Sequence, residues 1–226
     1  MYNSDVVLVS GHWPLTIEFA IKTRQSITHY CSMHQYDFHY DEVEPIEKEV
    51  HALHYRRCEI LQRAASRFPH AKWYVWLDTD IFVYRIDLRI ESVIDLSDTN
   101  ILYHLFHEKP LTFCVNTGVK FVNRNAIKIE SYIWQLRQNE AWKQFPYEQL
   151  VMCNKIIPRY LDRIIIHNPH ILNCIEQFYP IKNALFVHMC GRTEKFRNNM
   201  MSKQPISLLG IVGANLLNKR AENGHN

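Results

Sequence analysis

The fold is decided by the stretch Trp73-Tyr-Val-Trp-Leu-Asp-Thr-Asp-Ile-Phe-Val83, in which an apolar run ends in two aspartates separated by one residue. The run from Trp73 to Leu77 predicts a strand covered on both faces, since no polar residue interrupts it and it is too short for a free-standing helix. Asp78 and Asp80 would then lie at the carboxyl end of the strand, where open α/β sheets bind ligands. Two such carboxylates can hold a hard divalent cation that binds nucleotide phosphates, whereas the alternative is a solvated turn.

Composition limits the class of protein. The 226 residues fit one domain of ordinary size, and no apolar run approaches the roughly eighteen residues of a membrane span. The net charge of +3 is too small for binding by counterion release, so we expect no nucleic-acid partner. The six cysteines lie far apart without a C-x-x-C pair, which favours reduced thiols and a reducing compartment.

Strands and helices alternate along the chain. Strands are predicted over 6–10, 36–40, 73–77, 100–106, 113–122, 163–167 and 184–188, and helices over 15–31, 50–68, 126–139, 147–157 and 205–220. This alternation predicts one α/β domain over residues 1–226, with three layers and a mostly parallel central sheet.

Arg57 is predicted to lie on the apolar face of the second helix, four residues from both Leu53 and Leu61. A buried guanidinium needs an anion, because an isolated buried charge costs far more than a fold can spare. Arg57 is therefore either half of a structural salt bridge, for example to one of the two aspartates, or a fork that holds a phosphate or a sugar hydroxyl.

Two later motifs have both structural and functional interpretations. Asn116-Thr-Gly118 interrupts a strand, which indicates either a β-bulge or a close approach of ligand, with Asn116 offering its amide to a sugar. Glu148 and Gln149 follow Pro146 in the first turn of a helix, where the helix dipole favours a carboxylate even without a function.

His188 ends the last predicted strand, beside a glycine turn. It can complete the metal shell of the two aspartates, or it can be a core histidine with one hydrogen bond. Gly191 would allow backbone to approach a diphosphate, and Arg192 or Lys195 would neutralise it. Three H-x-x-H pairs elsewhere lack the spacing of a helical zinc site.

Taken in order, these motifs resemble a GT-A glycosyltransferase, most closely the retaining family of fungal galactosyl- and mannosyltransferases and plant xyloglucan xylosyltransferases. The resemblance covers about residues 50 to 195 and includes Arg57, the Phe68-Pro69 to Asp80 stretch, Asn116-Thr-Gly118, Glu148-Gln149 and Val187-His188-x-x-Gly191. The family usually has Lys-Pro soon after its histidine motif, whereas this chain has Lys195-Phe196.

The resemblance implies a GT-A (nucleotide-diphospho-sugar transferase) fold and a metal-dependent transfer from a nucleotide-sugar, expected to be a UDP-sugar, to a glycan or other hydroxyl, with retention. Residues 1–125 would mainly bind the donor, and 126–200 would supply acceptor and catalytic elements. The implied ligands of Mn²⁺ or Mg²⁺ are Asp78, Asp80 and His188, and the implied catalytic residues are Glu148, Gln149 and Arg57. The implied donor-binding residues are Ser10, Gly11, His12, Arg57, Asp78, Thr79, Asp80, Asn116, Gly118, Gly191, Arg192 and Lys195.

Other functions remain open at this stage. Two aspartates and a basic loop also suit a metal-dependent phosphohydrolase or nucleotidyltransferase, and a binding module without catalysis would keep the same residues. The start of the chain lacks a secretory signal and no transmembrane segment is predicted. We therefore expect a cytoplasmic bacterial or viral protein, or an excised catalytic domain.

Overall fold

The computed structural model describes Tyr2, residues 4–109 and residues 114–202, so the predicted helix 205–220 lies outside the described residues. The strands are β1 (Val6–Gly11), β2 (Asp37–Asp41), β3 (Trp73–Leu77), β4 (Ile81–Val83), β5 (Tyr103–His107), β6 (Val115–Asn123), β7 (Ile164–His167), β8 (Cys174–Ile175) and β9 (Phe186–His188). The helices are α1 (Glu18–His34), α2 (Val50–Arg67), α3 (Ile127–Leu136), α4 (Glu148–Val151), α5 (Ile157–Arg159) and α6 (Glu194–Ser202).

The central sheet has six strands in the order β2-β1-β3-β6-β5-β7. Every neighbouring pair is parallel except the two that involve β6, which runs opposite to the other five strands. This confirms the predicted mostly parallel sheet. Because β6 is reversed, its first residues, rather than its last, lie beside the carboxyl end of β3.

Helices cover both faces of this sheet because the side chains of its strands alternate between two cores. Val7 and Val9 of β1 pack in the core that contains the buried residues of α2. Val6 and Leu8 point the other way, into the core that contains Ile27 of α1. The three-layer α/β/α architecture of the prediction is therefore confirmed.

A second, three-stranded sheet in the order β4-β9-β8 stands next to the carboxyl end of β3. β4 and β9 are antiparallel and align Ile81 with His188, while β8 and β9 are parallel. Helix α6 packs against α1 beside this sheet, with Met201 in the same core as Phe19. This small sheet brings the end of the described chain back to the residues that follow β3.

Several element boundaries differ from the prediction. Helix α1 begins at Glu18 instead of residue 15, since Ile17 keeps an extended backbone as its N-cap. The predicted helix 147–157 is divided into α4, a π-helical turn over Met152–Ile156, and α5. Pro158 explains the division, because it cannot donate the backbone hydrogen bond of a regular α-helix.

Leu53 corrects the predicted apolar face of α2. Its side chain is 42% exposed, whereas Tyr55, Cys58 and Leu61 form the buried face. Among the described residues, no helix combines the length and the apolar character needed to cross a membrane.

Candidate active site

Asp78, Thr79 and Asp80 form a D-x-D motif directly after β3. This is the position that the apolar run before them predicted. All five residues of β3 are buried, and the backbone N–H of Asp78 donates to the carbonyl of Gly118 at 2.8 Å. The Trp76 indole donates to Asp78 Oδ1 at 2.7 Å, which fixes that carboxylate at the end of the strand. Asp78 remains 24% exposed and Asp80 13% exposed, so both carboxylates reach solvent.

His188 lies beside Asp80 because β9 pairs with β4, directly after the motif. Its Nε2 is 3.2 Å from Asp80 Oδ1, and the Met189 N–H donates to the Asp80 carbonyl at 3.0 Å. One ligand atom from each of Asp78, Asp80 and His188 lies within 4.8 Å of the others. The structure thus brings the three predicted metal ligands together.

Asn173 fixes the orientation of the His188 ring. Its Oδ1 lies 3.0 Å from His188 Nδ1, and its Nδ2 donates to Asn116 Oδ1 at 3.0 Å. With the Nδ1–H donated to Asn173, Nε2 is the ring nitrogen that faces the aspartates, which is the orientation that a histidine ligand requires. Asn116 Oδ1 accepts hydrogen bonds from Asn173 and from the Gly118 N–H, and its contact with a sugar stays a prediction.

Gly118 of β6 lies directly against the His188 ring of β9. A Cβ at this position would lie 2.8 Å from His188 Nδ1 and 2.9 Å from Asn116 Oδ1, and closer still to His188 Cε1. The close approach indicated by this glycine is therefore to the His188 ring. The pairing of β5 with β6 also shifts register here, as a bulge would require.

Arg57 forms the structural contacts that its burial predicted, and its role toward a ligand stays a prediction. Its Nη1 donates to the Thr117 carbonyl at 2.8 Å and to Thr117 Oγ1 at 2.9 Å. Its Nη2 is 3.5 Å from Asp78 Oδ1, and its Nε is 3.7 Å from Glu148 Oε2. Burial lowers the pKa of Arg57, but these two carboxylates outweigh burial and the pKa lies above its ordinary value. Arg57 is thus held by carboxylates while it also lines the cavity described below.

Glu148 and Gln149 are enclosed behind Arg57. Glu148 Oε2 accepts from Thr117 Oγ1 at 3.0 Å, and Gln149 Oε1 accepts from the Thr117 N–H at 3.3 Å. Glu148 is 1% exposed, and neither residue is part of the described cavity wall. Burial raises the pKa of the Glu148 carboxyl, although Arg57 and Lys120 oppose the rise.

An open cavity of about 410 Å³ lies between β1, α2 and the D-x-D motif. The predicted donor-binding residues Gly11, His12 and Thr79 line it, and His12 Nδ1 lies 3.2 Å from Thr79 Oγ1. Ser10 is fully buried and does not line it. The described wall consists of Gly11, His12, Trp13, Phe19, Leu53, His54, Arg56, Arg57, Ile60, Trp76, Asp78, Thr79, Asp80 and Arg197.

A divalent cation suits these residues. Two carboxylates and an oriented imidazole are the donors that Mn²⁺ accepts, and oxygen donors suit Mg²⁺. The Asp80 carboxylate is partly buried, and burial raises its pKa. His188 and Arg197 lower the pKa by more than burial raises it, so the pKa lies below its ordinary value. The carboxylate is consequently in the ionised form that metal binding needs.

A known protein family matches most of this chain. A family model for the galactosyl transferase GMA12/MNN10 family matches residues 5–162. The chain belongs to this family. The match includes Asp78, Asp80 and Glu148 and ends before His188. No functionally curated protein matches the chain.

Solved structures agree with this assignment. A glycosyltransferase involved in the glycosylation of the major capsid of PBCV-1 is 47% identical, with a TM-score of 0.84, and the match covers 87% of this chain and 98% of that one. The glycosyltransferase GlyE of Streptococcus pneumoniae TIGR4 is 12% identical, with a TM-score of 0.53 over 87% of this chain and 59% of GlyE, and shows the fold alone. The protein is therefore a glycosyltransferase with the GT-A fold.

Arg197 is one of three residues of this glycosyltransferase to which the sequence interpretation gave no role. Its Nη2 lies 2.8 Å from Asp80 Oδ2 and its guanidinium lies over the Phe19 ring. Arg197 lines the cavity, whereas Lys195, two residues earlier, is exposed and outside the described cavity wall. Arg192 pairs with Glu176 instead, and Gly191 has a φ of +71°, which lets the chain turn before α6.

Thr117 and Asn173 were also missed. Thr117 is central because its carbonyl, hydroxyl and N–H bind Arg57, Glu148 and Gln149. Its place between Asn116 and Gly118 was the available signal. Asn173 lies in a loop with no motif, so its contact with His188 could be found only from the fold.

Proposed function

We propose that this glycosyltransferase transfers a sugar from a UDP-sugar to a hydroxyl of a glycan, in a reaction that requires Mn²⁺ or Mg²⁺. The observation that carries the proposal is the Asp78, Asp80 and His188 cluster, whose two carboxylates lie on the wall of a cavity that Arg57 and Arg197 also line. The family assignment supports a sugar donor. The PBCV-1 relative acts in capsid glycosylation, which favours a protein-linked glycan as acceptor.

Asp78, Asp80 and His188 would hold the cation, which when bound stabilises negative charge on the leaving diphosphate as a Lewis acid. Arg57 and Arg197 line the same cavity and stabilise the charge that grows as the glycosidic bond breaks. Each already contacts a carboxylate, so neither is an unpaired cation before substrate binds.

Retention of configuration is the outcome we propose, by analogy with the family. In a same-face reaction the leaving phosphate can accept the acceptor proton, so no protein base is required. The enclosure of Glu148 favours this course over an inverting one, in which Glu148 would have to reach the acceptor hydroxyl as a general base. In our proposal Glu148 and Gln149 support the sugar-binding side of the site through Thr117 and Arg57.

A thermal-shift panel tests the metal and the donor together. UDP-, GDP- and dTDP-sugars are added with Mn²⁺ or with excess chelator, and a ligand at about 100 times its dissociation constant should stabilise the fold by about 2.7 kcal/mol. We expect the shift only with a UDP-sugar plus Mn²⁺, and its loss in Asp80→Asn. Asp87→Asn, at an exposed position where the carboxylate pairs with Arg85, is the matched control. An equal shift in chelator would remove the metal from the proposal.

The product separates the proposed function from phosphoryl chemistry. A transferase releases UDP together with a new glycoside, or with free sugar when water replaces the acceptor. Release of inorganic phosphate or UMP would instead favour the phosphohydrolase or nucleotidyltransferase alternative.

A further inference from the structure

A line of alternating charges runs through the interior from α3 to the cavity. Glu130 Oε2 lies 2.8 Å from Lys120 Nζ, and Lys120 Nζ lies 3.5 Å from Glu148 Oε1. Glu148 Oε2 lies 3.7 Å from Arg57 Nε, and Arg57 Nη2 lies 3.5 Å from Asp78 Oδ1. We call these five residues the ionic line. It connects a helix on one face of the sheet to a candidate metal ligand.

Lys120 of β6 and Glu130 of α3 are completely buried, and charged side chains are rarely buried to this extent. Glu130 already has two partners, since Lys120 donates to both of its oxygens and the Tyr103 hydroxyl donates to Oε1 at 3.1 Å. A buried ion pair of this kind can often be replaced by apolar residues without loss of stability. Pairing with Glu130 therefore gives no sufficient reason for a lysine at this position.

Glu148 supplies the reason. Its Oε2 accepts a hydrogen bond from Thr117, but its buried Oε1 has no hydrogen-bond donor among the described residues, and Lys120 Nζ is the cation that faces it. A buried carboxylate oxygen without a donor is costly unless a positive charge lies close to it.

We propose that Lys120 is a positioning residue of the transfer reaction: its ammonium keeps the Glu148 carboxylate ionised and turned toward Arg57, and so holds Arg57 at the cavity wall. Lys120 itself does not line the cavity and acts through Glu148. The proposal deepens the proposed function, because sugar transfer serves as one of its readouts.

The charges around Glu148 fit this role. Titratable and charged groups act on it from α2, β3, β6, α3 and the π-helical turn; they are Tyr55, Arg57, Cys58, Asp78, Lys120, Glu130 and Cys153. Arg57 and Lys120 are the two cations of this set. Removing Lys120 would leave Glu148 and Glu130 as buried like charges, and one of them would then take up a proton more readily.

Three variants distinguish whether Lys120 is needed to stabilise the Glu148 carboxylate or the Glu130 carboxylate. They are Lys120→Met, Glu130→Gln and the double variant. The double variant leaves no lone carboxylate at position 130, so it keeps the fold testable if Lys120→Met does not fold. Release of UDP from the UDP-sugar that stabilises the wild type is measured with Mn²⁺ as a function of pH.

We expect both variants that lack Lys120 to lose at least tenfold in turnover at neutral pH and to recover part of it at higher pH, as the acid limb of the profile moves up by about one pH unit or more. Glu130→Gln should keep its acid limb at or below the wild-type position. A double variant with the wild-type dependence of UDP release on pH would overturn the proposal, because Lys120 would then be needed only to neutralise Glu130.

Infrared difference spectroscopy of wild type against Glu148→Gln provides a readout without substrate. The proposal requires that the signal lost at neutral pH is that of an ionised carboxylate; loss of a carboxylic acid C=O band would overturn it. A wild-type protein that turns over no nucleotide-sugar would refute the proposed function while leaving this spectroscopic test in force.

Discussion

At the scale of single residues, Gly118 determines how closely His188 can approach β6. The ring occupies the space that any side chain at position 118 would need. Substitution therefore has to displace the ring, its hydrogen bond with Asn173, or the strand itself.

We expect Gly118→Ala to fold with a loss of about 1–3 kcal/mol and to bind Mn²⁺ at least tenfold more weakly. Gly191→Ala is the matched control, because its Cβ would have no neighbour closer than 4.0 Å but its φ of +71° is strained. That control should lose stability and keep its metal affinity. Calorimetric titration with Mn²⁺ and urea unfolding measure both quantities, and a Gly118→Ala protein with unchanged Mn²⁺ affinity would contradict the geometry.

Arg57→Leu tests the arginine that contacts both Asp78 and Glu148. We expect a loss of about 2 kcal/mol in the free energy of unfolding, since Glu148 keeps Thr117 and Lys120 while Asp78 is partly solvated. Turnover of the donor should fall at least tenfold, about 1.4 kcal/mol. Melting temperature and turnover per folded molecule are measured together. A large loss of stability with full activity would show that Arg57 is only structural.

The residues that could be predicted from the sequence are those whose chemistry conflicts with their surroundings. Asp78, Asp80 and His188 end apolar runs, and Arg57 lies in a helix that packs on the core, so each needed a partner. Asn173, Thr117 and Arg197 could not be predicted in the same way. Asn173 and Thr117 contact residues more than fifty positions away along the chain. Arg197, which pairs with Asp80, lies two residues after Lys195 in the same basic segment.

At the scale of elements, long helices and the strands of the central sheet were predicted, whereas two of the three short strands of the second sheet were not. β4 and β8 contain three and two residues, too few to show a period. Yet β4, β9 and the loop before β8 are what hold His188 beside Asp80. The position of the third candidate ligand therefore depends on elements that sequence patterns do not reveal.

Asn173→Ala tests the contribution of that loop. Without the Asn173 carbonyl oxygen, the His188 ring loses the partner that selects its tautomer and direction, and Mn²⁺ affinity should fall about 10–100-fold. Gln177→Ala is the control, since Gln177 follows the same strand β8 and its side chain donates to the Cys190 carbonyl at 2.6 Å. Titration with Mn²⁺ distinguishes them; equal affinities in the two variants would show that Asn173 does not orient the ligand.

At the scale of the whole molecule, two histidines at the far side of the central sheet connect stability to pH. His104 Nδ1 of β5 lies 2.9 Å from His167 Nε2 of β7, and their rings are stacked. Burial, followed by the charge of His167, lowers the pKa of His104 to about 4, although Asp95 and Asp98 oppose the shift; burial also lowers the pKa of His167.

An unfolded histidine has a pKa of about 6.5, so between pH 6.5 and pH 4 the unfolded chain binds protons at these histidines more readily than the folded protein does. This contribution to stability is complete above pH 6.5 and is lost as the pH falls toward 4, by at most about 3 kcal/mol for His104. Urea unfolding at several pH values should show the loss in wild type and a flatter dependence in His104→Gln. His51→Gln, on the surface of α2, should keep the wild-type slope; an unchanged slope in His104→Gln would exclude this histidine as the cause.

The contacts of Asp78 and Asp80 also determine the electrostatics of the cavity as a whole. Each carboxylate already has an internal counter-ion, Arg57 for the first and Arg197 for the second, while Arg56 is neutralised by Asp41. The described wall carries three arginines and two aspartates, and Asp41, which is not part of that wall, brings the formal charge of this set to zero. The cavity therefore has little field with which to attract a diphosphate. A dication on the carboxylates disturbs that balance twice, since it adds its own charge and competes with the guanidinium groups for their partners. If the proposed cation binds there, the cavity attracts anions only after the cation has arrived, and we expect metal to bind before nucleotide as a consequence of local electroneutrality.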